Sequence, residues 1–139
     1  MQTLQKLSPS DKEEFYNSLS DIHDKLDILV DRFYFYFLQT EARVLFVKTD
    51  MEKQHKMFHV TLAFLIAHID NPVLLNKHLG LVITRHRDYG VTKKHIPFFI
   101  DSFMSALKEL LDGSDDRVTA IWNSVIYEIM SVFNEQLSL

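Results

Sequence analysis

A chain of 139 residues, 47% hydrophobic and 24% charged, has the length and composition of a single globular domain spanning residues 1–139. A net charge of −4 with both signs interspersed argues against a dedicated nucleic-acid surface, and zero cysteine excludes disulfides, thiolate metal sites and iron–sulfur clusters. The longest apolar stretches are broken by His, Asp or Lys before membrane-spanning length, and Met1 to Lys6 lack the apolar core of a secretory leader, so a cytoplasmic location is expected.

Only 3 Gly and 3 Pro stand beside 11 Phe, which leaves room for long helices around a bulky apolar interior or pocket. Helical periodicity dominates from the start. Ser8-Pro9-Ser10-Asp11 reads as a helix opening, with a capping serine and proline in the first turn, for a helix running to about Leu19. A second helix, from about Asp24 to Gln39, carries Leu26, Val30, Tyr34, Phe37 and Leu38 on one side. Thr40 to Val47 form a short turn or small helix. Thr49-Asp50 then cap a helix whose inward face reads Gln54, Phe58, Thr61, Leu62 and Leu65, ending near Asp70-Asn71-Pro72. The next helix runs from Pro72 to His86. Thr92 caps a following one with Ile96, Phe99, Phe103, Leu107 and Leu110 inward, stopping at Asp112-Gly113. Pro97 falls early enough there to be tolerated. Ser114-Asp115-Asp116 open the last helix, which faces inward with Val118, Trp122, Val125, Ile129 and Val132. The pattern predicts an all-α domain.

Three polar residues interrupt the apolar faces. Leu75, Leu79, Val82 and His86, at i, i+4, i+7 and i+11, stack on one face of a helix that Gly90 is suited to end. An imidazole aimed inward from a last turn is what an axial haem ligand requires; on this helix alone, a core histidine satisfied by a backbone carbonyl is the better explanation. Gln54 and Tyr34 also face inward. A buried carboxamide or phenol without a partner costs roughly 1–3 kcal/mol, so the interior must hold something polar: a bound iron with a diatomic ligand, or a hydrogen-bond network with water.

With these residues in order, the chain resembles the globin family, specifically bacterial single-domain globins and the haem domains of flavohaemoglobins and globin-coupled sensors. Arg85-His86-Arg87-Asp88-Tyr89-Gly90-Val91 is similar to the segment around the proximal histidine, and Leu29-Val30-Asp31-Arg32-Phe33-Tyr34 to that holding the distal tyrosine. Val44-Leu45-Phe46 resembles the corner whose phenylalanine stacks on the porphyrin, and Ile69-Asp70-Asn71-Pro72 a common join after the distal helix. Trp122 falls where bacterial globins carry a tryptophan in the last helix. The resemblance implies a globin fold of six to eight helices around a haem pocket, with haem b held by His86 as the metal ligand. It implies Tyr34 and Gln54 as distal hydrogen-bond donors, Phe58 against the gas, and Phe46, Val91, Phe98 or Phe99, and Phe103 as haem walls. Reversible binding of oxygen, with carbon monoxide and nitric oxide as further ligands, is the implied function. Nitric oxide dioxygenation with electrons from a separate reductase, or a sensor module, are the alternatives; the chain is too short for its own reductase domain. Monomer and homodimer both fit.

Some positions depart from the family. Ile96 stands ten residues after His86, where flavohaemoglobins place a tyrosine, and Glu128 and Glu135 align poorly with their proximal glutamate. The stretch from Tyr34 to Phe46 is a residue or two short, so Phe33, Tyr36 or Phe37 compete with Tyr34 for the pocket. Phe58 is bulkier than usual. His55 and Met57 are candidates for a sixth ligand, His23, His78 and His95 read as solvent-facing or helix-end residues, and His68 as a channel residue. Arg85, Arg87 and Lys53 are candidates for the haem propionates or a solvated face.

Overall fold

Side chains that catch free backbone amides define where the helices begin. Ser8 Oγ accepts from Asp11 N at 3.1 Å, ahead of Pro9. Asp50 Oδ1 accepts from the amides of Glu52 (3.1 Å) and Lys53 (3.4 Å), Asn71 Oδ1 from that of Leu74 (3.2 Å), and Asp115 Oδ1 from that of Arg117 (2.9 Å). Each such cap is worth ~1 kcal/mol.

The computed structural model describes residues 1–111, 113 and 115–137. Among them run seven α-helices: α1 (Gln2–Gln5), α2 (Pro9–His23), α3 (Leu26–Phe37), α4 (Met51–Ala67), α5 (Pro72–Asp88), α6 (Ile96–Leu110) and α7 (Asp116–Gln136). Short 3-10 turns cover Glu41–Phe46 and Lys93–His95, and the described residues contain no strand. The all-α expectation is met.

Boundaries differ where burial overrides local signals. Helix α2 continues past Leu19 because Ile22, 1% exposed, extends the buried row of Phe15, Ser18 and Leu19. Helix α3 is shorter at both ends than read, opening at Leu26 and closing at Phe37. Helix α1 was not expected: its two first free amides are collected by Glu128 on α7, at 3.0 Å from Gln2 N and 2.8 Å from Thr3 N, while Leu4 is buried. The stop expected at Asp112 and the opening expected at Ser114 lie outside the described residues.

The best-packed part of the core lies between α3 and α6, the most extensive helix contact in the chain. Phe33 is its centre, with ring centroids 4.9 Å from Phe37, 5.1 Å from Phe99 and 6.2 Å from Phe103. Helices α1 and α2 close on α7, where Trp122 Nε1 donates to Ser18 Oγ at 2.9 Å inside the core. Helices α4 and α5 are different. Leu62 is the only fully buried residue of α4, and α5 buries only Leu75, Leu79 and Ile83, against seven on α7. Helix α4 leans on α2 and α3 and helix α5 on α7, but the two hardly touch each other. Their apolar faces border a space. No described helix is long and apolar enough to cross a membrane.

Candidate functional site

Helix α5 presents His86 three residues before the helix cap. The chain then turns on Gly90, whose φ of +85° is open to glycine at little cost. Val91 N donates to His86 O and Gly90 N to Arg87 O, both at 3.0 Å, which is the paired closure of a Schellman motif. The side chain is fixed as firmly. His86 Nδ1 lies 2.7 Å from Val82 O one turn back. A carbonyl only accepts, so Nδ1 carries the proton and Nε2 keeps a free lone pair. The ring meets Phe133 edge-on at 5.7 Å, and burial lowers its pKa, more than the Val82 bond raises it. His86 is therefore a neutral imidazole with an uncommitted Nε2.

On α4, Gln54 stands one turn inside the Asp50 cap. Its Nε2 donates to the Tyr34 hydroxyl at 2.9 Å, joining α4 to α3. Tyr34 is 3% exposed, and burial pushes its phenol up to about 12, against a smaller lowering by Gln54. The His55 ring stacks on Tyr34 at 4.6 Å and 9°. Among the competing residues, Phe33 is sealed in the aromatic core and Phe37 is packed on Phe33, while Tyr36 donates its hydroxyl to Glu109, which also receives both ends of the Arg32 fork. Only Tyr34 of this group meets Gln54.

Between α4 and α5 lies a cavity of about 460 Å³. The two stripes read from the sequence both face it: Gln54, Phe58, Thr61, Leu62 and Leu65 from α4, and Leu75, Leu79, Val82 and His86 from α5. Phe46, Val91, Phe99 and Phe103 complete the walls near these, and Trp122 and Ile126 line a deeper part toward α7. Two expected residues sit elsewhere. Phe98, one residue and hence about 100° round the helix from Phe99, packs on the core outside this wall. Tyr34 stands behind Gln54 and reaches the cavity only through it.

The remaining histidines sort by partner. His23 is mostly exposed. His55 Nδ1 and His59 Nδ1 pair with Asp31 (3.0 Å) and Asp27 (2.8 Å) across the α3–α4 seam, outside the cavity wall, whereas Met57 does line it. His68 and His78 each pack on Phe64 at 4.2 Å. His78 differs from the solvent-facing reading: its Nε2 is buried without a partner, because the ring lies against Phe64 rather than in water. His95 differs more. It is 7% exposed and lines the cavity, drawn in because its Nδ1 accepts from Thr92 N at 3.0 Å. The signal was present as Thr92-Lys93-Lys94-His95, a capping box with histidine in place of the usual glutamate or glutamine. Of the three basic candidates, Arg85 joins the cavity wall, while Lys53 and Arg87 are exposed and do not.

The site fits a flat apolar cofactor bearing a metal. Its volume is within the ordinary range of cofactor pockets, its walls are mainly apolar, and it offers one unprotonated imidazole nitrogen. Among the described residues no three His, Asp or Glu side chains converge to hold an ion. A metal that carries its other ligands with it would suit this single nitrogen. The globin family model matches residues 31–133, about three-quarters of the sequence. No curated protein matches. The chain belongs to the globin family, whose members bind haem and, through it, diatomic gases.

Proposed function

We propose that this chain binds haem b through His86 Nε2 and reversibly binds oxygen or a related diatomic gas. The observation that carries the reading is the lone pair of His86, fixed by Val82 O, in a cavity left open between two apolar helix faces. Haem, when bound, supplies the iron that takes the gas. The chain's own residues do the rest. Phe46, Phe58, Val91, Phe99 and Phe103 give it dry walls. Gln54 Nε2 has two hydrogens and spends one on Tyr34, so the second is available inside the cavity, while Tyr34 behind it holds the carboxamide in place. This donor favours a gas that becomes polar on binding, oxygen, over carbon monoxide.

One observation favours a carrier over a sustained catalyst. His86 Nδ1 donates to a backbone carbonyl of its own helix, not to a carboxylate that would make the imidazole more anionic. Glu128, the nearest sequence candidate for such a carboxylate, is engaged with Gln2 and Thr3. The test is gas release from the haem-loaded protein. One hydrogen bond to a charged group, worth ~1.5–3 kcal/mol, slows release by roughly 10- to 150-fold. Tyr34→Phe and Gln54→Leu should therefore speed oxygen release strongly while barely changing carbon monoxide release. Equal changes for both gases, or none, would make the pair packing rather than a retaining device.

A further inference from the structure

Behind the pair of Gln54 and Tyr34 stands a histidine that takes no part in the cavity wall. Among the described residues four aromatic rings surround Tyr34. Phe33 (4.9 Å, 73°), Phe46 (5.8 Å, 80°) and Phe58 (5.9 Å, 73°) meet it edge-on. Only His55 lies flat against it, at 4.6 Å and 9°. The His55 ring is itself held. Its Nδ1 is 3.0 Å from Asp31 Oδ1, and a carboxylate only accepts, so Nδ1 donates. Asp31 and Tyr34 are three residues apart on α3, hence neighbours on one face of that helix. His55 thus reaches across from α4 and is clipped to two residues of α3 at once.

The flat contact matters because the last torsion of a tyrosine is soft, and a stacked ring fixes it. A phenol keeps its O–H and its accepting lone pair close to the plane of its own ring. The ring plane of Tyr34 therefore sets the direction from which Gln54 Nε2, at 2.9 Å, can donate to it. A carboxamide is planar, so committing one N–H to Tyr34 aims the other in a single direction. Gln54 is the member of the pair that lines the cavity. We infer that His55, stacked on Tyr34 and tethered by Asp31, is a positioning residue for the cavity donor: it fixes the Tyr34 ring plane and, through it, the direction in which Gln54 presents its second N–H to a bound gas. This rests on the reading of the cavity as a gas site and adds to it the part that aims the donor. One turn along α4, His59 Nδ1 makes the matching pair with Asp27 at 2.8 Å, but its ring stacks on none of the described aromatic residues.

That second clip supplies the control. The side chains of His55 and His59 are 32% and 38% exposed, so neither is a core position. His55→Phe keeps the ring and drops the tether, His55→Asn keeps a donor for Asp31 and drops the ring, and His55→Leu drops both. His59→Leu breaks the neighbouring clip alone. In the apoprotein, NMR reads the exchange of the Gln54 side-chain N–H with water. It should quicken about tenfold in His55→Leu and His55→Asn, and stay within about threefold of the natural protein in His55→Phe and His59→Leu. In the haem-loaded protein, oxygen release should rise in the same order, by about three- to tenfold in His55→Leu, with carbon monoxide release unchanged. In a Tyr34→Phe background His55→Leu should have no further effect, because His55 acts through Tyr34. Equal effects of His55→Leu and His59→Leu would reduce the seam to packing and overturn the inference. So would an effect of His55→Leu that survives undiminished in Tyr34→Phe, or a His55→Asn that matches the natural protein while His55→Phe does not. If Tyr34→Phe and Gln54→Leu alter the release of neither gas, the retaining role of that pair falls; if they do and His55→Leu does not, only the role of His55 falls.

Discussion

Each cavity histidine owes its chemistry to one backbone group, a carbonyl for His86 and an amide for His95. Nitrogen-15 NMR of the apoprotein should accordingly show the Nδ1–H tautomer at His86 and the Nε2–H tautomer at His95; one common tautomer would refute the assignments. The pKa values of His78, His86 and His95 are all lowered, chiefly by burial. In acid the unfolded chain takes up protons that these rings resist, so their contribution is full above about pH 6.5 and is lost as pH falls through the depressed native values. Apoprotein unfolding measured between pH 7 and 5 should show this decline, and His95→Gln should flatten it. At the alkaline end Tyr16 and Tyr34, both raised to about 12 with burial the largest cause, act with the same sign. Unfolding exposes a phenol that ionises near 10, so stability should fall between about pH 10 and 12, and less steeply in Tyr34→Phe. His86, Gln54 and Tyr34 were legible in the sequence because each is a polar residue on an apolar stripe. His95 was not, because its inward turn comes from a hydrogen bond at a helix start rather than from periodicity.

Helices α4 and α5 carry the two halves of the site yet bury the fewest residues for their length. Their stripes were visible because helical spacing puts residues such as Leu75, Leu79, Val82 and His86 on one face whatever that face meets. What the spacing does not contain is the partner: an apolar stripe reads alike against another helix or against a cavity. Hydrogen exchange of the apoprotein should distinguish these cases. Amides of α4 and α5 should exchange faster than those of α3, α6 and α7, and haem should protect α4 and α5 most. Uniform protection before haem is added would show that the space between them closes. The turn after α5 offers a second probe. A Cβ at Gly90 would touch nothing within 4 Å, so Gly90→Ala tests only the cost of φ at +85°. It should lower stability by roughly 1 kcal/mol in denaturant titration and, by loosening the closure on His86 O, weaken haem retention.

For the whole molecule, the fold was largely readable because 3 Gly and 3 Pro leave few ways to end a helix, and most breaks carry a recognisable cap. Helix α1 escaped notice since four residues have no periodicity to read, and its anchor, Glu128, lies at the far end of the sequence. The folded chain leaves an apolar space of about 460 Å³, and a ligand that fills it must stabilise the protein by mass action. Haem should raise the melting temperature, and His86→Gly should lose most of that gain. The ferrous protein examined by resonance Raman spectroscopy gives the sharpest reading. It should show an iron–histidine stretching band at the position of an ordinary neutral imidazole. That band should vanish in His86→Gly and be replaced by an iron–imidazole band when free imidazole is added. A band that persists unchanged in His86→Gly would mean that another residue holds the iron and that the cavity has been read from the wrong side.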